Sequence, residues 1–265
     1  MVEITGHTRV FAILGDPIAQ VKTPQVLHPE FARHGFDGVV VPMQVAPENL
    51  ATLVAGLKGL KNFGGMIVTV PHKTAIVALC DEVAPHAALI GAANCIRREA
   101  DGRLVATMLD GLGYVAGMRR HGIEPKGKSL YLAGAGGAAN AIAFAFAEAG
   151  ITRLTIANRT RARSDDLARR LATLRPDLPV STEPASPAGH DLVINATSLG
   201  MKEGDAPPLD FAALTADQIV GEVIMAPEMT PLLIAAKAKG CRIHLGKPML
   251  EAQIDLFLQH LRVTA

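Results

Sequence analysis

The stretch Ser129-Leu-Tyr-Leu-Ala-Gly134-Ala-Gly136-Gly137-Ala138-Ala139 limits what this chain can fold into more than any other. An apolar run breaks into glycines and restarts as alanine-rich sequence, the pattern of a buried parallel strand turning tightly into a helix. Gly134 permits the turn, Gly136 and Gly137 let backbone N–H groups approach a pyrophosphate, and Ala138 starts the helix, with Ala135 between the glycines. The helix N-terminus adds unpaired N–H donors and partial positive charge for a diphosphate. Small residues also make ordinary strand-to-helix turns, so the dinucleotide reading depends on the next strand.

That strand ends at Ala157-Asn158-Arg159-Thr160-Arg161-Ala162-Arg163. A site for NAD usually places an acid here to accept from the ribose hydroxyls, whereas a 2′-phosphate calls for a cation. No acid is present. Arg159 and Arg163 can face a phosphate dianion with forked donors, and Asn158 and Thr160 add neutral ones, so the charge pattern favours NADP over NAD.

The remaining chain supports an α/β fold. A length of 265 residues allows one large or two modest domains. With 49% apolar residues, 19% charged residues and a net charge of +1, nothing suggests a basic stripe for nucleic acid, and the expected partner is a small molecule. Trp is absent and aromatics are 4%, which leaves few stacking platforms for single strands. Cys80, Cys95 and Cys241 are odd in number and far apart, against a disulfide framework or a metal site, and fit a reducing, cytoplasmic compartment. Glu3, His7 and Arg9 precede the first apolar run, and no apolar stretch reaches the roughly 18 residues of a membrane span. No targeting or membrane segment is expected.

Periodicity predicts strands over 10–14, 39–45 and 66–70, a helix near 25–34, a helix over 47–58, a break over 59–65, and helical stretches over 73–80 and 84–89. Residues 95–98 and 104–108 flank Asp101-Gly102 as a hairpin. From Gly111 the rhythm becomes βα: helix to 120, strand 130–133, helix 138–149, strand 153–157, helix 164–174, strand 192–195, strand 219–224, helix 231–239 and strand 242–245. Such alternation implies a parallel sheet covered on both faces. The last helix, 249–261, carries Leu250, Ile254, Phe257, Leu258 and Leu261 on one face and is expected to return to the first unit. Thr69, Lys73, Asn94 and Asp110 each stand at a strand end or turn, where ligands of α/β proteins collect. By itself a lysine after a strand is more often a surface charge, and Asp-Gly more often a turn.

Nine ordered motifs then resemble the shikimate dehydrogenases over nearly the whole chain: Gly15-Asp-Pro-Ile-Ala-Gln20, Val68-Thr-Val-Pro-His-Lys73, Gly91-Ala-Ala-Asn94, Asp110-Gly111, Gly134-Ala-Gly-Gly-Ala138, Asn158-Arg-Thr160, Asn195-Ala-Thr-Ser-Leu-Gly200, Thr230-Pro-Leu-Leu233 and Met249-Leu-Glu-Ala-Gln253. The resemblance implies a substrate-binding domain over 1–110 plus 247–265, a Rossmann-like NADP domain over 111–246, and a monomer or homodimer. It implies that Lys73 and Asp110 form the acid–base pair at the hydroxyl that becomes a ketone, while Thr69, Asn94 and Gln253 hold ring hydroxyls. A secondary alcohol that loses hydride must also lose its O–H proton, and a partly desolvated lysine beside a carboxylate can take it. Thr197, Val223 and Gly246 are implied near the nicotinamide and its ribose.

The sequence departs from the family pattern at the substrate. A Ser-x-Ser element that holds a carboxylate is here Val21-Lys22-Thr23, so Thr23 keeps one hydroxyl and Val21 has none; Lys22 or Gln20 could stand in. Ile67 and Met108-Leu109 replace polar residues, and Met225 stands where a tyrosine would touch substrate. The expectation is an NADP-dependent oxidoreductase interconverting shikimate and 3-dehydroshikimate, with quinate or another cyclic hydroxy acid, or a non-catalytic NADP(H)-binding member, as alternatives. His72 is expected on the wall of the site or at the surface, and Cys95 as a small buried apolar residue. Asn195-Ala-Thr-Ser198 resembles the family's loop near the nicotinamide and ribose, so its polar groups are expected to position cofactor.

Overall fold

The computed structural model describes residues 3–183 and 186–264. By compactness the chain divides into two units, Met1–Leu109 with Gln253–Ala265, and Asp110–Ala252.

The first unit is built on β1 (Arg9–Gly15), α1 (Thr23–Arg33), β2 (Gly38–Gln44), α2 (Leu50–Lys58), β3 (Phe63–Val68), β4 (Glu82–Val83), α3 (Pro85–Ile90), β5 (Cys95–Arg98) and β6 (Leu104–Thr107). Its mixed sheet runs in the order β2-β1-β3-β5-β6-β4. Strand β1 is parallel to both β2 and β3, and β5 joins antiparallel to β3 and β6. Phe11, Ala12, Ile13 and Leu14 are all buried because both faces of β1 are covered. On one face Leu50, Val54 and Leu57 of α2 pack with Met66, Ile76 and Ile96. On Phe11 the rings of Phe31 and Phe36 gather at centroid distances of 5.5 and 6.0 Å. Each fully buried ring or branched aliphatic side chain contributes about 1.5–3 kcal/mol.

The second unit contains α4 (Asp110–Arg120), β7 (Ser129–Ala133), α5 (Gly137–Glu148), β8 (Arg153–Ala157), α6 (Arg161–Leu174), β9 (Val180–Ser181), β10 (Leu192–Asn195), β11 (Ile219–Glu222), α7 (Pro231–Ala238) and β12 (Arg242–His244). All pairings are parallel, in the order β12-β11-β10-β7-β8-β9. The chain winds outward from β7 first to β8 and later to β10, so the order reverses between β7 and β10, and ligands of such sheets bind at the strand ends beside that reversal. Ala139, Ala141, Ala143, Ala145 and Ala147 of α5 are buried, and their small side chains let α4 approach: a Cβ on Gly111 would collide with the carbonyl of Ala141.

Helix α8 (Lys247–His260) crosses the division. Its first turns stay with the second unit, where Gly117 backs onto Pro248 and Arg120 Nη1 donates to the Glu251 carbonyl at 3.3 Å. Its later residues belong to the first unit: Phe257, Leu258 and, just beyond the helix, Leu261 are buried, and Arg97 Nη1 donates to the His260 carbonyl at 3.1 Å. The boundary between the two compact units thus falls within α8, between Ala252 and Gln253.

Several boundaries differ from the sequence reading. Strand β3 begins at Phe63, inside the expected 59–65 break, because Gly64 is the residue over which the Phe11 ring lies and a Cβ there would strike that ring. The stretch expected to be helical over 73–80 narrows to a 3-10 helix, Ala75–Leu79. Thr74, Ile76 and Val77 are β-branched, which disfavours a longer α-helix. The short strands β4 and β9 give no periodic signal at two residues each. Strand β11 stops at Glu222 and not at residue 224, because the Glu222 carboxylate takes the Ile224 N–H and shares that of Val223 with the Asn195 carbonyl.

Candidate active site

In the first unit the site residues cluster where strands end. Thr69 follows β3 and donates its N–H to the Leu14 carbonyl at 2.8 Å, fastening the end of β3 to the end of β1. Four residues on, the Lys73 carbonyl accepts from Ala93 N–H at 2.8 Å, while Asn94 accepts from Val68 N–H at 2.8 Å through its own carbonyl. Lys73 and Thr69 are half-buried and Asn94 is buried. The Asn94 side chain spends its Oδ1 on the backbone N–H of Leu109 at 2.8 Å. That bond fixes the residue immediately before Asp110, which opens α4 and is itself buried. Thr23 is buried in the first turn of α1, and Gln253 is buried on α8.

The departures from the family pattern are apolar and mostly interior. Ile67, Met108 and Leu109 are buried, Val21 is half-buried, and Met225 is 38% exposed. Gln20 turns its amide back onto the Pro17 carbonyl at 2.7 Å, and the Lys22 side chain is exposed at the start of α1. His72 is not at the surface. It is 1% exposed, with Nε2 2.8 Å from the carbonyl of Val45, the residue just after β2. Cys95 is buried, and burial raises its thiol far above the ordinary range.

In the second unit five strand ends are laced together. Gly134 N–H donates to the Ala157 carbonyl at 2.7 Å, joining the ends of β7 and β8. On the other side Ala196 N–H donates to the Ala133 carbonyl at 2.8 Å, and Val223 N–H reaches the Asn195 carbonyl at 3.2 Å. Gly246 lies so close to Val223 and Ile224 that a Cβ on it would meet their backbone. Ala135 and Gly136 form the turn into α5, which opens with Gly137 and Ala138 and whose first turn carries no acid and no side-chain cap. Its leading N–H groups are thereby left to a ligand.

The second strand end carries an uneven set of cations. Arg161 is tied to Glu183 and Asp165. Arg159 and Arg163 are exposed and, among the described residues, pair with no acid. Asn158 Nδ2 donates to the Thr160 carbonyl at 2.8 Å and shapes the loop that presents them. Two free guanidinium groups beside an uncapped helix start fit a phosphate-rich ligand.

Between β10 and β11 the polar groups are internal. Asn195 Oδ1 accepts from Thr197 N–H and Oγ1 at 3.0 and 2.7 Å, and its Nδ2 donates to the Leu199 carbonyl and to Glu222 Oε2 at 3.0 and 3.1 Å. Glu222 is 0% exposed, and burial pushes its carboxyl up to about 7 although four donors pull the other way. Sequence offers only one signal for it, an acid closing an apolar strand. Among the described residues no group of three or more His, Cys, Asp or Glu could hold a metal ion, and no helix is long and apolar enough to cross a membrane.

A sheet with its order reversed at a glycine turn, free arginines one strand away, and a lysine, an asparagine and a threonine on a second scaffold define an oxidoreductase-type dinucleotide protein. Comparison with known proteins carries this further. Residues 13–96 match the shikimate dehydrogenase substrate binding domain, and residues 118–200 match shikimate / quinate 5-dehydrogenase. A shikimate dehydrogenase (NADP(+)) from Acidiphilium cryptum is 38% identical over 89% of this chain and 84% of its own length. The crystal structure of shikimate dehydrogenase from Aquifex aeolicus superposes with a TM-score of 0.89 at 28% identity, covering 99% of this chain and 95% of that one. The ligand-free 5-ketofructose reductase of a Gluconobacter strain superposes with a TM-score of 0.81 at 30% identity, over 96% and 92%. The chain belongs to the shikimate dehydrogenase family and is a shikimate dehydrogenase-like dehydrogenase.

Proposed function

We propose that this chain interconverts shikimate and 3-dehydroshikimate with NADP. The observation that carries the reading is the joint placement of Thr69, Lys73 and Asn94 at one end of the first sheet, with Asn94 also fixing the residue before Asp110. Residues 1–110 with 247–265 serve as the substrate part and 111–246 as the cofactor part.

Lys73 takes and returns the proton of the reacting hydroxyl, with Asp110 as its charged companion. Such assistance is typically worth about 10²–10⁴ in rate. Thr23, Thr69, Asn94 and Gln253 hold the ring substituents, and Val21 and Met225 supply apolar wall. When bound, NADP supplies the hydride acceptor. Gly134, Ala135, Gly136, Gly137 and Ala138 receive its diphosphate; Asn158, Arg159, Thr160 and Arg163 receive the 2′-phosphate; Thr197, Val223 and Gly246 line the nicotinamide end.

The buried apolar side chains Ile67, Met108 and Leu109 favour a second reading, in which the same chemistry serves another cyclic hydroxy acid such as quinate, or a polyol ketone like that of the 5-ketofructose reductase relative. Initial rates with shikimate and quinate, each with NADP and NAD, and with 5-ketofructose and NADPH, separate these. The leading reading expects the highest kcat/KM for shikimate with NADP. A higher value for any other pair replaces it, and no turnover with any pair leaves an NADP(H)-binding protein.

A further inference from the structure

Three segments assigned above to the nicotinamide, at Thr197, at Val223 and at Gly246, follow three different strands. Their common anchor is a side chain that faces none of the solvent. Glu222 Oε1 accepts from Val223 N–H at 2.9 Å and from Ile224 N–H at 3.2 Å. Its Oε2 accepts from Asn195 Nδ2 at 3.1 Å and from Thr230 Oγ1 at 3.0 Å. Asn195 passes the connection to Thr197 through two bonds at its Oδ1, and Thr197 Oγ1 in turn accepts from Leu199 N–H at 3.0 Å. Thr230 caps α7, accepting from Leu233 N–H at 3.4 Å. The Val223–Ile224 backbone that Glu222 holds is the surface on which Gly246 rests.

We propose that Glu222 is a positioning residue for the nicotinamide end of NADP, holding Thr197, Val223 and Gly246 in one arrangement through four converging donors. The proposal rests on the cofactor reading given above. A carboxylate used only to stabilise a core is a poor choice, since buried charge is costly and a packed apolar residue does as well or better. Among the described residues no lysine or arginine is bonded to it. All four donors are neutral and come from the strand ends and from the helix cap beside them. Four inward-pointing donors require an acceptor at every lone-pair direction, which a carboxylate offers and an amide does not. The titratable groups packed nearby are Tyr114 of α4, which presses on Gly221, and His244 of β12; both are buried, and burial holds His244 neutral near pH 7, with its ionisation lowered to about 4.

The test compares NADPH with 2′,5′-ADP, which carries the adenosine half without the nicotinamide. In Glu222→Gln one amide N–H₂ faces donors it cannot accept from, and NADPH is expected to bind about tenfold more weakly. Binding of 2′,5′-ADP stays within about twofold, because the contacts of the adenosine half lie at other strand ends. Thr230→Val removes one of the four donors and gives a smaller loss in the same direction, about threefold, which Thr230→Ser restores. If Glu222→Gln does not fold, the Thr230 pair decides. Unchanged NADPH binding in the variants overturns the proposal, as does an equal loss for NADPH and 2′,5′-ADP, which would mean general loosening. A wild-type protein that binds neither probe removes the cofactor reading itself, and the proposal with it.

Discussion

Gly134 and Gly136 stand in one turn, and a methyl group would mean different things at each. Gly134 has φ +115°, and a Cβ there would lie 2.9 Å from the Ala196 carbonyl oxygen. The fold itself needs that glycine. Gly136 has φ −86°, and a Cβ would meet nothing within 4 Å. The fold has no use for its bareness, which would serve only the diphosphate proposed to bind there. Gly134→Ala should therefore lower stability by about 1–3 kcal/mol, read as a shift of the urea midpoint. Gly136→Ala should leave that midpoint within about 0.5 kcal/mol and weaken NADPH about tenfold or more by fluorescence titration. Equal stability losses in the two variants would contradict the assignment. The same residue-level logic applies to Arg159, which among the described residues pairs with no acid while Arg161 is occupied by Glu183 and Asp165. Arg159→Ala should weaken NADP by about tenfold or more, since a charge-assisted bond is worth about 1.5–3 kcal/mol, and should leave NAD within about twofold. Equal losses for both cofactors would mean that Arg159 does not face the 2′-phosphate.

At the scale of elements, the strand ends of the second unit carry two buried groups whose protonation is coupled to folding in opposite senses. His244 on β12 is buried against Tyr114 at 5.4 Å and His121 at 5.6 Å between ring centroids, and burial with nearby Arg242 lowers its ionisation from 6.5 to about 4. Between those values the unfolded chain binds the proton and the folded chain does not, so stability is lost as pH falls through that window. Glu222 is raised from 4.5 to about 7, so the folded chain binds the extra proton and stability is lost as pH rises through that window. The two partly cancel between 4.5 and 6.5. His244→Phe should remove the acid-side component, so the gap in melting temperature between variant and wild type should move in the variant's favour from pH 6.5 to pH 4; a constant gap would contradict the linkage.

The elements also show what a sequence can and cannot carry. Strand β7, the glycine turn and α5 were legible because their signal is local: an apolar run, bare residues, then a run of small helix formers. The start of β3 was not, since Gly64 reads as a breaker until the Phe11 ring that needs its bareness is seen above it. His72 is one residue from Lys73, yet only the carbonyl of Val45, far along the chain, accounts for its inward turn. The β11 terminus depended in the same way on a side-chain hub built from Asn195 and Thr230, which no window of sequence contains.

At the scale of the whole molecule, two sheets divide the labour that the family resemblance expects. The first is mixed and sets Thr69, Lys73 and Asn94 at its strand ends; the second is parallel and sets the glycine turn, Arg159 and the Thr197 loop at its own. Sequence motifs located most of these positions because they are short and contiguous. The substrate was less legible, because the wall proposed at Val21, Ile67, Leu109 and Met225 would act through its shape and polarity, which depend on many residues at once. The proposed chemistry, in contrast, turns on one side chain. Steady-state formation of NADPH from shikimate and NADP by the wild type and by Lys73→Ala tests it most directly. The account predicts a loss of at least about 10² in kcat with the Kd for NADPH within about twofold. A variant that turns over at a comparable rate would take Lys73 out of the mechanism.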